Sequence, residues 1–223
     1  MLAYAVHENI DCADWMNRGY NQSGVYWIYH ERNKFKVWCD MHPEHGIARI
    51  KIQARFDGSV DFYRNWEEYR TGFGDPKGEY WLGLENIHKL THGRSMEIKL
   101  EAYSFQDEKN HAVYRNFWIE DEANYYRLHA GIFERGHDGD NWLFGDNMEF
   151  STKDVERDIS ANMNCAVKYP SGWWHSACFY MNFNGVYRQT ETAPSPAEGI
   201  VWSSWKKWDI LLKRVFMAIR RLD

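Results

Sequence analysis

The sequence lacks the features that assign most chains to a chemistry or a compartment. No apolar stretch approaches the roughly 20 residues that a membrane-spanning helix needs, so insertion into a bilayer is not expected. A basic surplus is missing too. With a formal net charge of −5 over 223 residues, the chain offers no general basic face for phosphates, and a sequence-independent nucleic-acid binder is disfavoured. There is no GxSxG elbow, no phosphate-cradling glycine loop and no dinucleotide fingerprint. His42 and His45 lie in MHPEHG, where a proline interrupts the helical spacing that HExxH needs to place two imidazoles on zinc. Carboxylate pairs such as Asp107 and Glu108 are ordinary in solvated loops. These absences argue against an enzyme. The first ten residues are too short and polar for a signal peptide, so a mature or excised fragment is expected.

Cysteine is scarce as well, with Cys12, Cys39, Cys165 and Cys178 only. Four cysteines allow three pairings, and the spacing contains no CxxC pair of the kind that holds zinc. An even number in two sequence-local pairs suits two disulfides, hence an oxidising, extracellular compartment. The sequon Asn21-Gln22-Ser23 agrees with that compartment and makes Asn21 a glycosylation candidate.

What is abundant is aromatic. Phe, Trp and Tyr make up 17% of the chain, with 12 tryptophans, which implies a globular, aromatic-cored domain. The length suits a single domain. Residues 1–9 read as a tail and 10–223 as the domain. A helix is expected over Cys12, Trp15 and Met16, capped by Asn9 or Asp11 and ended by Gly19. Val25 to Tyr29 and Phe35 to Cys39 read as a hairpin. Ile50, Ile52, Ala54 and Phe56 alternate with Arg49, Lys51, Gln53 and Arg55, which predicts a strand with one core face and one basic, solvated face. Asn65 to Gly72 and Glu85 to Leu90 read as short helices, the second with Asn86 as cap. Strands are expected at Met96 to Ala102, Val113 to Ile119 and Tyr125 to Ile132, with Ile210 to Ile219 closing the sheet last. Asp138-Gly139-Asp140-Asn141 reads as an ordinary turn. The pattern is α+β, a mainly antiparallel sheet with short helices.

The densest stretch is Phe150 to Tyr187. Asp154, Glu156 and Asp158 alternate, so in an extended loop their carboxylates would share one side and repel unless a cation sits between them. Calcium suits that need, with loop carbonyls such as those of Ser160 and Asn162 as further hard ligands; a solvated acidic loop is the plain alternative. A disulfide over the 12 residues between Cys165 and Cys178 would gain roughly 3 kcal/mol in the chain-entropy model.

The run FST-x-D-x-[DE]-x-D from Phe150, CA at Cys165, GWW from Gly172, Cys178 and N-x-NGVY from Asn182 resembles the C-terminal half of a fibrinogen-related domain, as in fibrinogen chains, ficolins, tachylectins, tenascins and angiopoietins. SGVYWI from Ser23, VWCDM from Val37, DGSVDFYRNWEEYRTGFG from Asp57, EYWLGLENIHKLT from Glu79 and GIVWSSWK from Gly199 extend the likeness in order. Gly46-Ile47-Ala48 departs from it, standing where related domains carry a glycine run and a Trp. The resemblance implies Cys12 paired with Cys39 and Cys165 with Cys178. It also implies a secreted recognition domain that oligomerises through a segment upstream, and a loop calcium held by Glu156 and Asp158 side chains and the carbonyls of Ser160 and Asn162, with Asp154 behind them. Glu156 stands where Asp is usual, and one extra residue lies between Asn162 and Cys165. In lectin-like members an acetyl-binding pocket lies beside the metal; Tyr169 and Ala197 match it, whereas Phe179 replaces a His and Pro196 a Tyr. Ala197 also replaces the acidic wall that a fibrin-type pocket needs. His175 or Tyr169 is left as a donor, and Phe179 and Tyr180 as exposed aromatic contacts, while Trp173 and Trp174 are expected in the core. Two functions follow: lectin-like recognition of glycans or acetylated ligands, or binding of a protein ligand at the cell surface or matrix through the same edge.

Overall fold

The computed structural model describes residues 11–30, 33–136 and 140–222. The tail at 1–9 and positions 138 and 139 of the expected turn lie outside that description, and the turn's other half, Asp140 and Asn141, opens a short helix instead. Asp11 opens α1 (Cys12–Asn17) through a reciprocal capping box with Asp14, which satisfies orphan amides of the first turn. Strands β1 (Gly24–His30) and β2 (Asn33–His42) form the expected hairpin, and a 3-10 turn, Pro43–His45, leads into β3 (Ile47–Arg55). Cys12 is bonded to Cys39, clamping α1 onto β2.

Asn65 caps α2 (Trp66–Thr71) with Glu68 in a second capping box. Then come β4 (Phe73–Gly74), β5 (Tyr80–Trp81) and α3 (Leu84–Thr91). The cap of α3 is Gly83, not Asn86, whose amide instead donates back to the Leu82 carbonyl. Strands β6 (Met96–Tyr103) and β7 (Lys109–Arg115) pair along their length. Asn116, at φ +63°, turns the chain out of that ladder, so the longer strand expected through Ile119 is split. Its remainder, β8 (Trp118–Ile119), pairs with β9 (Leu128–His129) as a separate ribbon, and β10 (Ile132–Gly136) returns to the edge of the main sheet. The C-terminal third is loop-built around α4 (Asp140–Leu143), α5 (Cys165–Lys168), β11 (Met181–Asn182) and β12 (Val201–Trp202). β13 (Arg214–Arg221) does not close an edge. It lies in the middle of the sheet, in the order β1-β2-β3-β13-β6-β7-β10, because the last strand is antiparallel to both β3 and β6.

All strand pairings among the described residues are antiparallel, in keeping with the mainly antiparallel α+β reading. Inward residues such as Ile50, Ile52, Ile98, Leu100, Met217 and Ile219 form the core face. The same core continues under the C-terminal loops as an aromatic cluster of Tyr69, Trp81, Trp142, Phe150 and Trp174. Its indoles are satisfied: Trp81 donates to the Tyr69 carbonyl and Trp174 to that of Tyr126.

The solvated stripe expected on the other face of β3 is broken by a β-bulge: Arg49 and Lys51 keep to the outer face, but past the shift Gln53 and Arg55 lie opposite Met217 and Val215, on the core side. Arg49 is 5% exposed, Gln53 0% and Arg55 1%. Loop 183–185 lies on that strand, where Gln53 donates to the Phe183 carbonyl and Arg55 Nη1 to those of Phe183 and Gly185. Burial is tolerated because those donors find carbonyls.

Candidate functional site

The Asn182 to Gly185 segment fixes the site to the sheet. Asn182 Nδ2 donates to Ser171 Oγ, Asn184 Nδ2 donates to the Gly172 carbonyl, and Gln53 donates to Asn184 Oδ1. Two glycines permit this closeness. A Cβ on Gly172 would sit 2.4 Å from the Tyr69 ring, and one on Gly185 2.0 Å from the Gly199 carbonyl oxygen. Tyr69 Oη accepts the Gly172 amide and donates to the Phe62 carbonyl. The GWW and NxNG motifs are thus parts of one buried polar knot, and Trp173 and Trp174 are core residues at 3% and 1% exposure.

On this base, Cys165 at the start of α5 is bonded to Cys178, and the Ala177–Cys178 peptide is cis. The disulfide brings Tyr169 against Phe179, and Phe179 also faces His175 and Trp208, with centroids 5.5 and 6.2 Å away. Phe179 is therefore buried, not the exposed contact expected, because three rings surround it. His175 is wholly buried. Ser171 Oγ gives its hydrogen to the Tyr169 carbonyl, so His175 Nε2, 3.4 Å from that oxygen, must be the donor of the pair. That leaves Nδ1 unprotonated, and it has no hydrogen-bond partner among the described residues. Burial pushes this imidazole down to about 3, so it is neutral at physiological pH.

Tyr180 does reach the surface, and it does so in company that spacing did not reveal. Its ring lies 3.8 Å from that of Phe144 and 5.6 Å from that of Trp208, centroid to centroid. Phe144 is 48% and Tyr180 41% exposed. Behind them the cavity between Phe144, Tyr180 and the tryptophan core is about 10 Å3, room for about one water molecule. The surface is an edge rather than a deep pocket. Ala197, at φ +66°, donates its amide to the Trp208 carbonyl, which draws the loop carrying Pro196 beside this edge, with Pro196 exposed and Ala197 buried. Trp208 and Phe144 lie 28 residues after and 36 before Tyr180, so no local pattern joins them.

The acidic loop differs from the expectation at one position. The chain bends at 153–155, where the backbones of Thr152 and Val155 bond each other, so the alternating carboxylates do not share one side. Asp154 turns back to accept the Trp66 amide and the Thr152 hydroxyl, capping α2. Asp158 accepts the amides of Ser160 and Cys165, one on each oxygen, which leaves each oxygen further lone pairs. Glu156 is exposed, and no hydrogen bond among the described residues ends on the carbonyls of Ser160 or Asn162. No group of three His, Cys, Asp or Glu suited to a metal occurs among the described residues. The donors that fit calcium are thus hard oxygens from two carboxylates and two carbonyls, with water needed to complete its six to eight ligands. Asn21 is exposed between α1 and β1, open to a glycan.

Residues 8–222 match the family model of the fibrinogen beta and gamma chains, C-terminal globular domain. The protein belongs to this family. Fibrinogen-like protein 1 of Homo sapiens is 38% identical over 229 aligned residues, spanning 96% of this chain and 72% of that one. Microfibril-associated glycoprotein 4 of Homo sapiens is 36% identical, spanning 98% and 87%. Angiopoietin-related protein 6 of Mus musculus is 37% identical, spanning 94% of this chain and 46% of its own length. Among solved structures, the fibrinogen-like globe of human ANGPTL6 superposes with a TM-score of 0.90 at 35% identity, covering 98% of this chain and all of that one. Lamprey fibrin D-dimer, complexed with the peptide Gly-His-Arg-Pro-amide, gives 0.86 at 28% identity, covering 96% and 75%. This fibrinogen C-terminal domain holds both disulfides that the resemblance implied. No helix among its described residues is long and apolar enough to cross a membrane.

Proposed function

We propose that this fibrinogen C-terminal domain is an extracellular recognition module, not an enzyme, and that it takes a protein ligand on the edge made by Phe144, Tyr180 and Trp208. The observation that carries this reading is the exposure of two touching aromatic rings beside a third, on a scaffold locked by a disulfide and a buried amide network. Rigid exposed aromatics are the residue type that anchors protein interfaces. The peptide bound in the lamprey fibrin neighbour supports the reading at the level of the fold. Calcium, held by Glu156, Asp158 and the carbonyls of Ser160 and Asn162, would supply positive charge next to the disulfide. These residues would fix the loop from which α5 starts.

A second reading, lectin-like recognition of an acetylated sugar, is favoured by Tyr169 and the loop of Pro196 and Ala197 standing beside the same edge. Phe179 weighs against it, since it fills that wall with a ring that offers no hydrogen bond. Selection of displayed peptides against the wild type, repeated on Tyr180→Ser, tests the first reading, and a glycan array with and without a calcium chelator tests the second. Peptides with aromatic anchors that bind the wild type and not Tyr180→Ser are expected. Calcium-dependent binding of acetylated sugars, unchanged by Tyr180→Ser, would overturn the protein-ligand reading in favour of the lectin.

A further inference from the structure

The outer face of the main sheet carries a second concavity, away from the aromatic edge, with a volume of about 320 Å3, within the size range of small-ligand pockets. Six of its lining side chains are His42, His45, Arg49, Lys99, His111 and Arg135, and no carboxylate among the described residues lines it. The acids around it are outnumbered. Glu97, fully buried, is shared by Arg49, Arg220 and, at 3.7 Å, Arg135. Burial pushes that carboxyl up, but the hydrogen bonds from Arg220 and Arg49 outweigh it and hold it below its usual range. Glu101 is paired with both Lys99 and Lys109, and Glu134 with both Arg115 and Arg135. Three carboxylates thus answer six fixed cations, with Asp40 and Glu44 standing beside His42 and His45 at one rim, on a chain whose net charge is −5.

Cross-strand register builds this excess. Lys51, Ala218, Lys99, Val113 and Arg135 lie opposite one another across β3, β13, β6, β7 and β10, so cations stand on both sides of two small apolar residues. We propose that this cavity binds a sulfated saccharide, its sulfate ester seated among Arg49, Lys99, His111 and Arg135. A tetrahedral oxyanion presents several acceptor oxygens at once, which suits donors converging from four strands. The cations surround one hollow of sugar size, whereas a nucleic acid needs an extended basic track.

His111, which lines the cavity, makes the site acid-strengthened. At one rim His42 lies 3.3 Å from Asp40 and 3.5 Å from Glu44, and His45 lies 3.7 Å from Glu44. Those two acids offset part of the positive charge at that rim. His111 faces Lys99, Lys109, Arg135 and Glu101. Burial and the three cations lower its pKa against the pull of Glu101, and a bound sulfate would raise it.

The test is calorimetry with a heparin-derived octasaccharide at pH 6.0 and 7.5. Wild type is expected to bind more tightly at pH 6.0, and Lys99→Gln with Arg135→Gln to weaken binding about tenfold or more at both. Two charge-matched single changes elsewhere, Lys77→Gln and Lys207→Gln together, should leave it unchanged. The chemically desulfated saccharide should not bind, and inorganic sulfate or phosphate should compete only weakly. Unchanged melting temperatures show that the variants fold, and a cavity double variant that unfolds is replaced by Arg135→Gln alone. No binding by wild type, equal loss in both double variants, or equal competition by duplex DNA would each overturn the proposal.

Discussion

The ring of Tyr169 meets that of Phe179 edge-on, with centroids 4.9 Å apart and planes at 76°. An imidazole at position 179 would replace an apolar ring with a hydrogen-bonding one in the same surroundings of Tyr169, His175 and Trp208. A polar ligand group that finds no partner in a dry site costs roughly 1 to 3 kcal/mol, about a tenfold to hundredfold loss in affinity. Phe179→His is therefore expected to gain binding of N-acetylglucosamine that the wild type lacks, read by calorimetry. Tight, calcium-dependent binding by the wild type would contradict the assignment of Phe179 as the blocking residue.

Calcium and the loop capping can be separated by two substitutions. Calcium that binds only the native state raises the unfolding free energy by about 2.7 kcal/mol at a hundred times its dissociation constant. The expected result is a melting temperature that climbs with calcium in the wild type and does not in Glu156→Gln, whose side chain is exposed. Asp154→Ala should behave in the opposite way. It loses the cap on the Trp66 amide, about 1 kcal/mol, but keeps the calcium response. A calcium response lost in Asp154→Ala and kept in Glu156→Gln would reverse the two roles.

Local rules carried much of this in the sequence. Asp11 as one of two offered caps, the helix read over 65–72 and the alternation at 96–102 are short-range signals, and each corresponds to an element in the structure, while the pairing of Cys165 with Cys178 was legible through the resemblance. What failed was the environment of a correctly placed strand. Alternation shows neither the bulge that turns Arg55 to the core side nor loop 183–185, whose Phe183 lies 128 residues downstream and accepts its hydrogen bond. The bend at 153–155 was hidden for a related reason, since Asp154 is captured by an amide 88 residues away. Of the aromatic edge only Tyr180 was legible, because its partners Phe144 and Trp208 come from two other loops.

Arg55 gives a stability prediction. Burial pushes its guanidinium down to about 10 against the pull of Glu79, so it stays charged at neutral pH. Glu79 Oε2 is 3.9 Å from Arg55 Nε, and the same carboxylate accepts the amides of Phe56, Asp57, Gly58 and Val60. Glu79→Gln leaves that cation buried and uncompensated, a change that costs about 3 to 5 kcal/mol in buried pairs. Urea unfolding with the disulfides intact should show a lower midpoint at an unchanged slope. A loss under about 1 kcal/mol would mean that the carbonyls of Phe183 and Gly185 are sufficient partners.

His175 sets the acid limb of stability. Its folded pKa is depressed to about 3 by burial, from an ordinary value near 6.5. Between those values the unfolded chain binds a proton that the native chain refuses, so stability is full above about pH 6.5 and falls as the pH drops towards 3. The slope for one such group is up to about 1.4 kcal/mol per pH unit. Glu101 cannot produce the upper part of that limb. Burial raises its carboxyl, but Lys99, Lys109 and Tyr103 outweigh burial and hold it at about 2, so its contribution is lost only below its ordinary carboxyl value near 4.5. His111 is lowered as well, and adds a slope of the same sign. Unfolding free energy measured from pH 6.5 to 4.5 should flatten in His175→Gln by about one proton's worth, whatever the variant's stability at neutral pH. His111→Gln should retain that share. Parallel curves for wild type and His175→Gln would mean that His175 takes up its proton without unfolding, through the Nδ1 that no neighbour among the described residues satisfies.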